Sequence, residues 1–237
     1  MLAVRGTRMA NGRPKPVLAL DVYGTLIDPF RMEEHLRADF GAKAKEAAEL
    51  WRTKQLEYSF RRALMKKYLN FGECTAQALR FTAAQLGVSL SAEAQANLLA
   101  QYPQLPPYPD ARAALDELSA EGYALAAFSN GTESAVRKSL EHAGLLGYFG
   151  KIVSVDPLHT FKPDPVVYEA LVVEMSAPRE TVWVISSNPF DVIGAKACGL
   201  RAAWVQRDPK RIFDPWEFAA DATVHSLAEL KDVLVSQ

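Results

Sequence analysis

The sequence predicts an α/β fold: a doubly wound, Rossmann-like parallel sheet with a helical cap domain inserted after the first strand. Three observations carry this. From Asp110 onward short apolar runs alternate with helical stretches, which is the pattern of a parallel sheet covered on both faces. The first apolar run, Val17-Leu18-Ala19-Leu20, ends in Asp21, where a buried strand meets solvent. Between Arg31 and Tyr102 no strand-like block occurs, and apolar residues recur at helical spacing, as in Ala47, Leu50, Trp51 and Tyr58.

Each element follows from local chemistry. Met1 to Pro16 carries arginines and glycines but lacks the apolar core of a signal peptide, so residues 1–15 are expected to form a mobile tail. Residues 16–30 and 109–237 form the expected core, and residues 31–108 the helical cap. Within the cap, Tyr58 to Tyr68 reads as one helical apolar stripe that serves packing. The proline-rich link Tyr102-Pro-Gln-Leu-Pro-Pro-Tyr-Pro109 closes the insertion. Further strands are expected at Tyr123 to Phe128, Lys151 to Val155, Val182 to Ile185 and Ala202 to Val205.

Composition narrows the function classes. At 237 residues, about half apolar, the chain buries a substantial core. Its 27 lysines and arginines balance 28 acids, so no global field favours nucleic acid, and a small-molecule partner is expected. No run approaches a membrane span. Cys74 and Cys198 stand far apart and outside any paired ligand motif, which implies reduced thiols and a cytoplasmic protein. Residues 31–70 hold ten basic side chains against six acids, a local surplus that would draw in an anionic substrate or simply solvate a helix face.

Four polar clusters follow strands or sit on the cap. In Asp21-Val22-Tyr23-Gly24-Thr25-Leu26 the aspartate is placed as a nucleophile, Gly24 permits a tight turn, and the Thr25 hydroxyl is poised to hold the carboxylate. Ser129-Asn130-Gly131 follows a strand and leads into a helix, making an anion cradle or an ordinary turn. Lys162, in Phe161-Lys162-Pro163-Asp164-Pro165 with Tyr168 beyond it, offers a fixed positive charge. The fourth cluster is Ser186-Ser187-Asn188-Pro189-Phe190-Asp191.

In order and spacing these motifs resemble the type II L-2-haloacid dehalogenases of the haloacid dehalogenase superfamily, from about Val17 to Leu230. Leu50-Trp51-Arg52-Thr53-Lys54-Gln55-Leu56-Glu57-Tyr58 matches too, with Arg52 in the place of the family's halide-facing arginine. The chain departs from the family at Thr53, at Pro189 and Phe190, and at Pro29-Phe30. Tyr23 stands where superfamily phosphatases carry the second aspartate that protonates an alkoxide. A departing halide needs no such proton. Ser187 replaces the first acid of the magnesium-binding pair, leaving too little anionic ligation, so neither metal nor cofactor is expected.

The resemblance implies that Asp21 displaces halide from a small (S)-2-haloalkanoic acid, forming an aspartyl ester that water hydrolyses to an (R)-2-hydroxyalkanoate. Thr25 then orients Asp21. Arg52, Asn130 and the Phe190 ring edge face the halide, while Ser129 and Lys162 hold the substrate carboxylate, with Lys162 also favouring the ionised form of Asp21. Tyr168 orients Lys162, and Ser186, Asn188 and Asp191 position or activate water. Val22, Tyr23, Leu56 and Phe71 form the apolar wall or simply core packing. The resemblance also implies a homodimer. Alternatives at this stage are a magnesium-dependent phosphatase of the same fold, a hydrolase of a strained ring acid such as azetidine-2-carboxylate, and a non-catalytic acid-binding protein.

Overall fold

A computed structural model describes residues 15–235. The expected tail falls on residues 1–14, outside the described residues, apart from Lys15, which is tied down against Glu121 and lies 4.9 Å from the Tyr123 ring centroid.

The first strand, β1 (Val17–Asp21), is apolar on both sides because both faces of its sheet are covered. Leu18 and Leu20 point into one core cluster and Ala19 into the other, as the two-residue period of a strand requires. Gly24 follows at φ +98°, a conformation costly for other residues, and its N–H donates to the Ile27 carbonyl. Four helices come next: α1 (Met32–Phe40), α2 (Ala44–Leu64), α3 (Phe71–Gln85) and α4 (Ala92–Gln101). Asn70 and Ser91 start α3 and α4 by accepting from the Glu73 and Ala94 amides. The outgoing and returning segments pair with each other: Asp28 N–H donates to Pro106 O at 3.1 Å and Tyr108 N–H to Leu26 O at 2.8 Å.

The expected stripe from Tyr58 to Tyr68 is broken. Helix α2 stops at Leu64, Lys66 adopts φ +54°, and Leu64 is 85% exposed. Tyr68 lies beyond the helix, where it stacks on His159 and donates to Asp156.

The rest alternates as expected: α5 (Ala111–Ala120), β2 (Ala124–Ser129), α6 (Glu133–His142), β3 (Lys151–Ser154), α7 (Pro165–Met175), β4 (Val182–Ser186), α8 (Pro189–Ala197) and β5 (Arg201–Val205), then β6 (Ala222–Val224) and α9 (Leu230–Val235). Strand β6 was not foreseen, being three residues long with no alternating pattern. Among the described residues the strands form one parallel sheet in the order β3-β2-β1-β4-β5-β6. One face carries α5, α6 and α9 through Leu115, Leu140 and Leu230; the other carries α7 and α8 through Leu171 and Val192. The chain winds outward from β1 in one direction and then returns to β4 beside it, so the order reverses between β1 and β4. Ligands of open α/β sheets bind at such a switch point.

Candidate active site

Asp21 ends β1 and Ser186 ends β4, which brings the two polar segments together at the switch point. The Asp21 carboxylate is nearly buried and fully held. Its Oδ2 accepts from Thr25 Oγ1 and from Asn188 Nδ2, both at 2.9 Å, and its Oδ1 accepts from Lys162 Nζ at 3.2 Å. Thr25 can face Asp21 because its own oxygen accepts the Ser187 amide at 2.8 Å, while Ser187 Oγ donates to Gly24 O at 2.6 Å. The turn is closed tightly: a Cβ on Gly24 would stand 3.1 Å from that Ser187 oxygen.

Lys162 is 1% exposed, and its three ammonium protons all have partners: Asp21 Oδ1, Asp191 Oδ2 at 2.9 Å and Phe128 O at 2.8 Å. The ammonium also lies 3.9 Å from the Phe128 ring centroid. All three donors are directed at protein oxygens, and the lysine bridges two aspartates. Asn130 fixes the lysine's backbone, its Oδ1 accepting the Lys162 amide at 2.9 Å. Tyr168 makes no hydrogen bond to Lys162. Its hydroxyl donates to Asp191, to Oδ1 at 2.9 Å and to the carbonyl at 3.1 Å. The tyrosine comes this close because residue 194 is glycine, where any Cβ would collide with the phenol.

Burial drives the acidities here. It pushes the Asp191 carboxyl up, against the opposing pull of Lys162, and the nearby Asp21 charge adds to the rise. The Tyr168 hydroxyl is raised by burial first and by Asp191 second. Asp191 is wholly buried, so it meets the site only through Lys162 and not as a side chain facing water, the arrangement expected from sequence. Ser186 is equally buried, and its Oγ accepts the Asn188 amide at 3.2 Å, fixing the asparagine rather than open solvent.

Arg52 comes from the middle of α2. Its Nη2 donates to Tyr23 O at 3.0 Å and its Nη1 to Gln55 Oε1 at 2.7 Å. Gln55 also accepts from the Tyr102 hydroxyl at 3.0 Å and donates to Thr75 Oγ1 at 2.5 Å. Sequence reasoning did not single out Gln55 as functional, although its spacing of three from Arg52 puts both on one helix face. The Tyr23 hydroxyl pairs with Ser139 Oγ at 2.6 Å, and burial raises its pKa to about 12.

A cavity of about 500 Å³ reaches Gly24, Arg52, Leu56, Ser187 and Asn188. Asp21 does not line it and is joined to it through Asn188, whose Nδ2 donates to Asp21 Oδ2. Tyr23 and Phe71 instead line a second cavity of about 320 Å³, bounded by Tyr102, Gly131 and Thr132. Val22 is fully buried in the core. Ser129 ends β2, its Oγ accepting the Gly131 amide at 3.2 Å. Phe190 packs on Phe60 with ring centroids 5.1 Å apart and lines neither cavity. The donor set does not suit magnesium: Lys162 bridges the two carboxylates, and the Ser187 hydroxyl is turned to a carbonyl. Among the described residues no group of three or more His, Cys, Asp or Glu is placed to hold a metal ion.

Fold and site together define a class, a hydrolase-like α/β protein with a strand-end aspartate at the switch point of a parallel sheet. Residues 16–199 match the family model of haloacid dehalogenase-like hydrolases, and the chain belongs to that family. It is 37% identical over 190 residues to haloacetate dehalogenase H-2 of Moraxella sp. (strain B), covering 80% of this chain and 85% of that one. It is equally similar, at 37%, to an (S)-2-haloacid dehalogenase of Pseudomonas sp. (strain YL), covering 80% of this chain and 82% of the relative. The L-2-haloacid dehalogenase of Xanthobacter autotrophicus, solved with chloropropionic acid covalently bound, superposes with a TM-score of 0.86 at 30% identity, over 93% of this chain and 98% of that one.

Proposed function

We propose that this protein hydrolyses (S)-2-haloalkanoic acids to (R)-2-hydroxyalkanoic acids through an ester on Asp21. The observation that carries the reading is the asymmetric hold on that carboxylate. Two donors at 2.9 Å fix Oδ2, whereas Oδ1 has one longer contact, to Lys162, and keeps the more available lone pair. Oδ1 attacks C2 from behind the carbon–halogen bond, the bonding pair leaves with the halide, and the centre inverts. Oδ2 becomes the ester carbonyl. When water adds to that carbonyl, Thr25 Oγ1 and Asn188 Nδ2 already point at the developing oxyanion. The ester's alkoxy oxygen leaves with one of the water's protons as the 2-hydroxy acid, and the other proton passes through the Lys162 ammonium to Asp191, whose raised pKa suits it to accept.

Arg52 donates to the departing halide in this scheme. Tyr23 supplies no general acid, since its hydroxyl is tied to Ser139 and its pKa stands near 12. The acid's alkyl group lies against Leu56 or, past Tyr23, against Phe71. Residues 31–108 act as a cap over a core of residues 16–30 and 109–235, and the paired segments at Leu26 to Asp28 and Pro106 to Tyr108 form the joint between them. We further infer a cytoplasmic homodimer. The exposed Leu64 and Met65 at the end of α2 support an apolar contact with a second copy, and no helix among the described residues is long and apolar enough to cross a membrane.

The test is halide release from (S)- and (R)-2-chloropropionate with EDTA present, for the wild type and for Asp21→Asn. Release from the (S) form alone, abolished in the variant, is the expected result. No halide from either form would sink the reading.

A further inference from the structure

The cavity beside Asn188 continues outward to an irregular segment after β5, where Arg207, Lys210 and Arg211 line its rim together with Tyr108. Four cations therefore face this space, against the carboxylates of Glu49 and Asp208. Two of the cations are anchored by protein oxygens. Arg52 is held by Gln55 and Tyr23, and Arg207 donates to Asp110 Oδ2 and to Thr25 O, both at 2.6 Å, while lying 4.1 Å from the Tyr108 ring centroid. Lys210 and Arg211 differ. Among the described residues neither side chain makes a hydrogen bond or an ion pair, and both are exposed at the rim.

Arg211 also sits within the field of Arg52. Crowding by the cavity wall first, and the Arg52 charge second, lower its pKa, while Asp214, Tyr108 and Asp208 pull the other way. A guanidinium in a concave site, close to a second one and with its donor fork empty, is suited to a carboxylate, which it binds through two parallel hydrogen bonds. A three-carbon acid held beside Asn188 does not fill a space of about 500 Å³.

We infer that Arg211, assisted by Lys210, forms a second anion subsite that takes the distal carboxylate of a 2-haloalkanedioic acid of the 2-halosuccinate class. The inference rests on the dehalogenase reading above and extends its substrate range to dianions. The chemistry is unchanged: Asp21 forms a bond to C2, halide leaves with the bonding pair, and water cleaves the ester. (S)-2-Chlorosuccinate and water thus yield (R)-malate, chloride and a proton. Arg211 touches only the far end of the substrate, so it acts on specificity.

The test compares kcat/KM on (S)-2-chlorosuccinate and (S)-2-chloropropionate for the wild type, Arg211→Gln and Arg211→Lys. The expected result is turnover of both acids by the wild type. Arg211→Gln lowers the dianion-to-monoanion ratio about ten-fold or more, mainly through KM, and Arg211→Lys restores part of it. A ratio unmoved by Arg211→Gln, or wild-type turnover of chloropropionate alone, overturns the subsite and leaves the dehalogenase reading standing. If neither acid is turned over, that reading falls and calorimetry decides the subsite: (S)-2-chlorosuccinate binding to Asp21→Asn that weakens about ten-fold on adding Arg211→Gln upholds it, and equal binding overturns it.

Discussion

Replacing Lys162 with methionine keeps most of the side chain's length and removes the charge that separates Asp21 from Asp191. In the native protein the ammonium is 1% exposed and donates to two carboxylates and a carbonyl, at 3.2, 2.9 and 2.8 Å. Removing one partner of a buried ion pair typically costs about 3–5 kcal/mol, because a charge is left without compensation. For a domain of this size that corresponds to a fall in Tm of roughly 6–20 °C. The loss has a pH signature. Asp191 already has a raised pKa from burial, and without Lys162 only the Tyr168 hydroxyl remains to stabilise its charge. A carboxyl raised in the native state holds a proton that the unfolded chain has released. Stability therefore falls as pH rises from the ordinary aspartate range to the raised native value, and recovers as pH is lowered through that window. Urea unfolding at pH 7 and pH 5 should show the gap between variant and wild type narrowing by about 1–2 kcal/mol at the lower pH. A gap under about 1 kcal/mol at pH 7, or one of equal size at both pH values, would refute the view that Lys162 serves chiefly to neutralise buried carboxylates.

Two further outcomes follow from the same geometry. Asn188→Ala removes one of the two donors on Asp21 Oδ2, so kcat for halide release should fall about 10²–10³-fold with a small change in KM, read by steady-state kinetics. Gly24→Ala forces a side chain onto a backbone at φ +98° and toward the Ser187 oxygen, and should cost about 1–3 kcal/mol in urea unfolding; a neutral result would mean the turn relaxes freely.

The sheet was legible because each strand is a short apolar run bounded by turns and helices, and Asp21 stood out because its run stops abruptly at a charge. Lys162 and Asp191 were visible as polar residues after strands, but their pairing was not. Which donor meets which acceptor is set by packing between segments distant in the chain, and local pattern carries no record of it. The same holds for Tyr168, whose partner depends on a missing Cβ at Gly194. Arg52 could be placed by motif, whereas Arg207 and Arg211 lie in an aperiodic segment that gives no signal of the cavity they line. Strand β6 and the early stop of α2 were missed for the reverse reason, since three residues make no pattern and an apolar stripe continues in sequence past the last helical turn.

Arg52 is a strut as well as a cation: one end of its guanidinium rests on the Tyr23 carbonyl beside the nucleophile, and the other is clamped by Gln55, which Tyr102 and Thr75 hold in turn. A swing of α2 wide enough to admit bulk water would pull that arginine off the strand end. On the dehalogenase reading, the position of α2 and the readiness of the strand end that carries Asp21 are therefore linked through this one side chain.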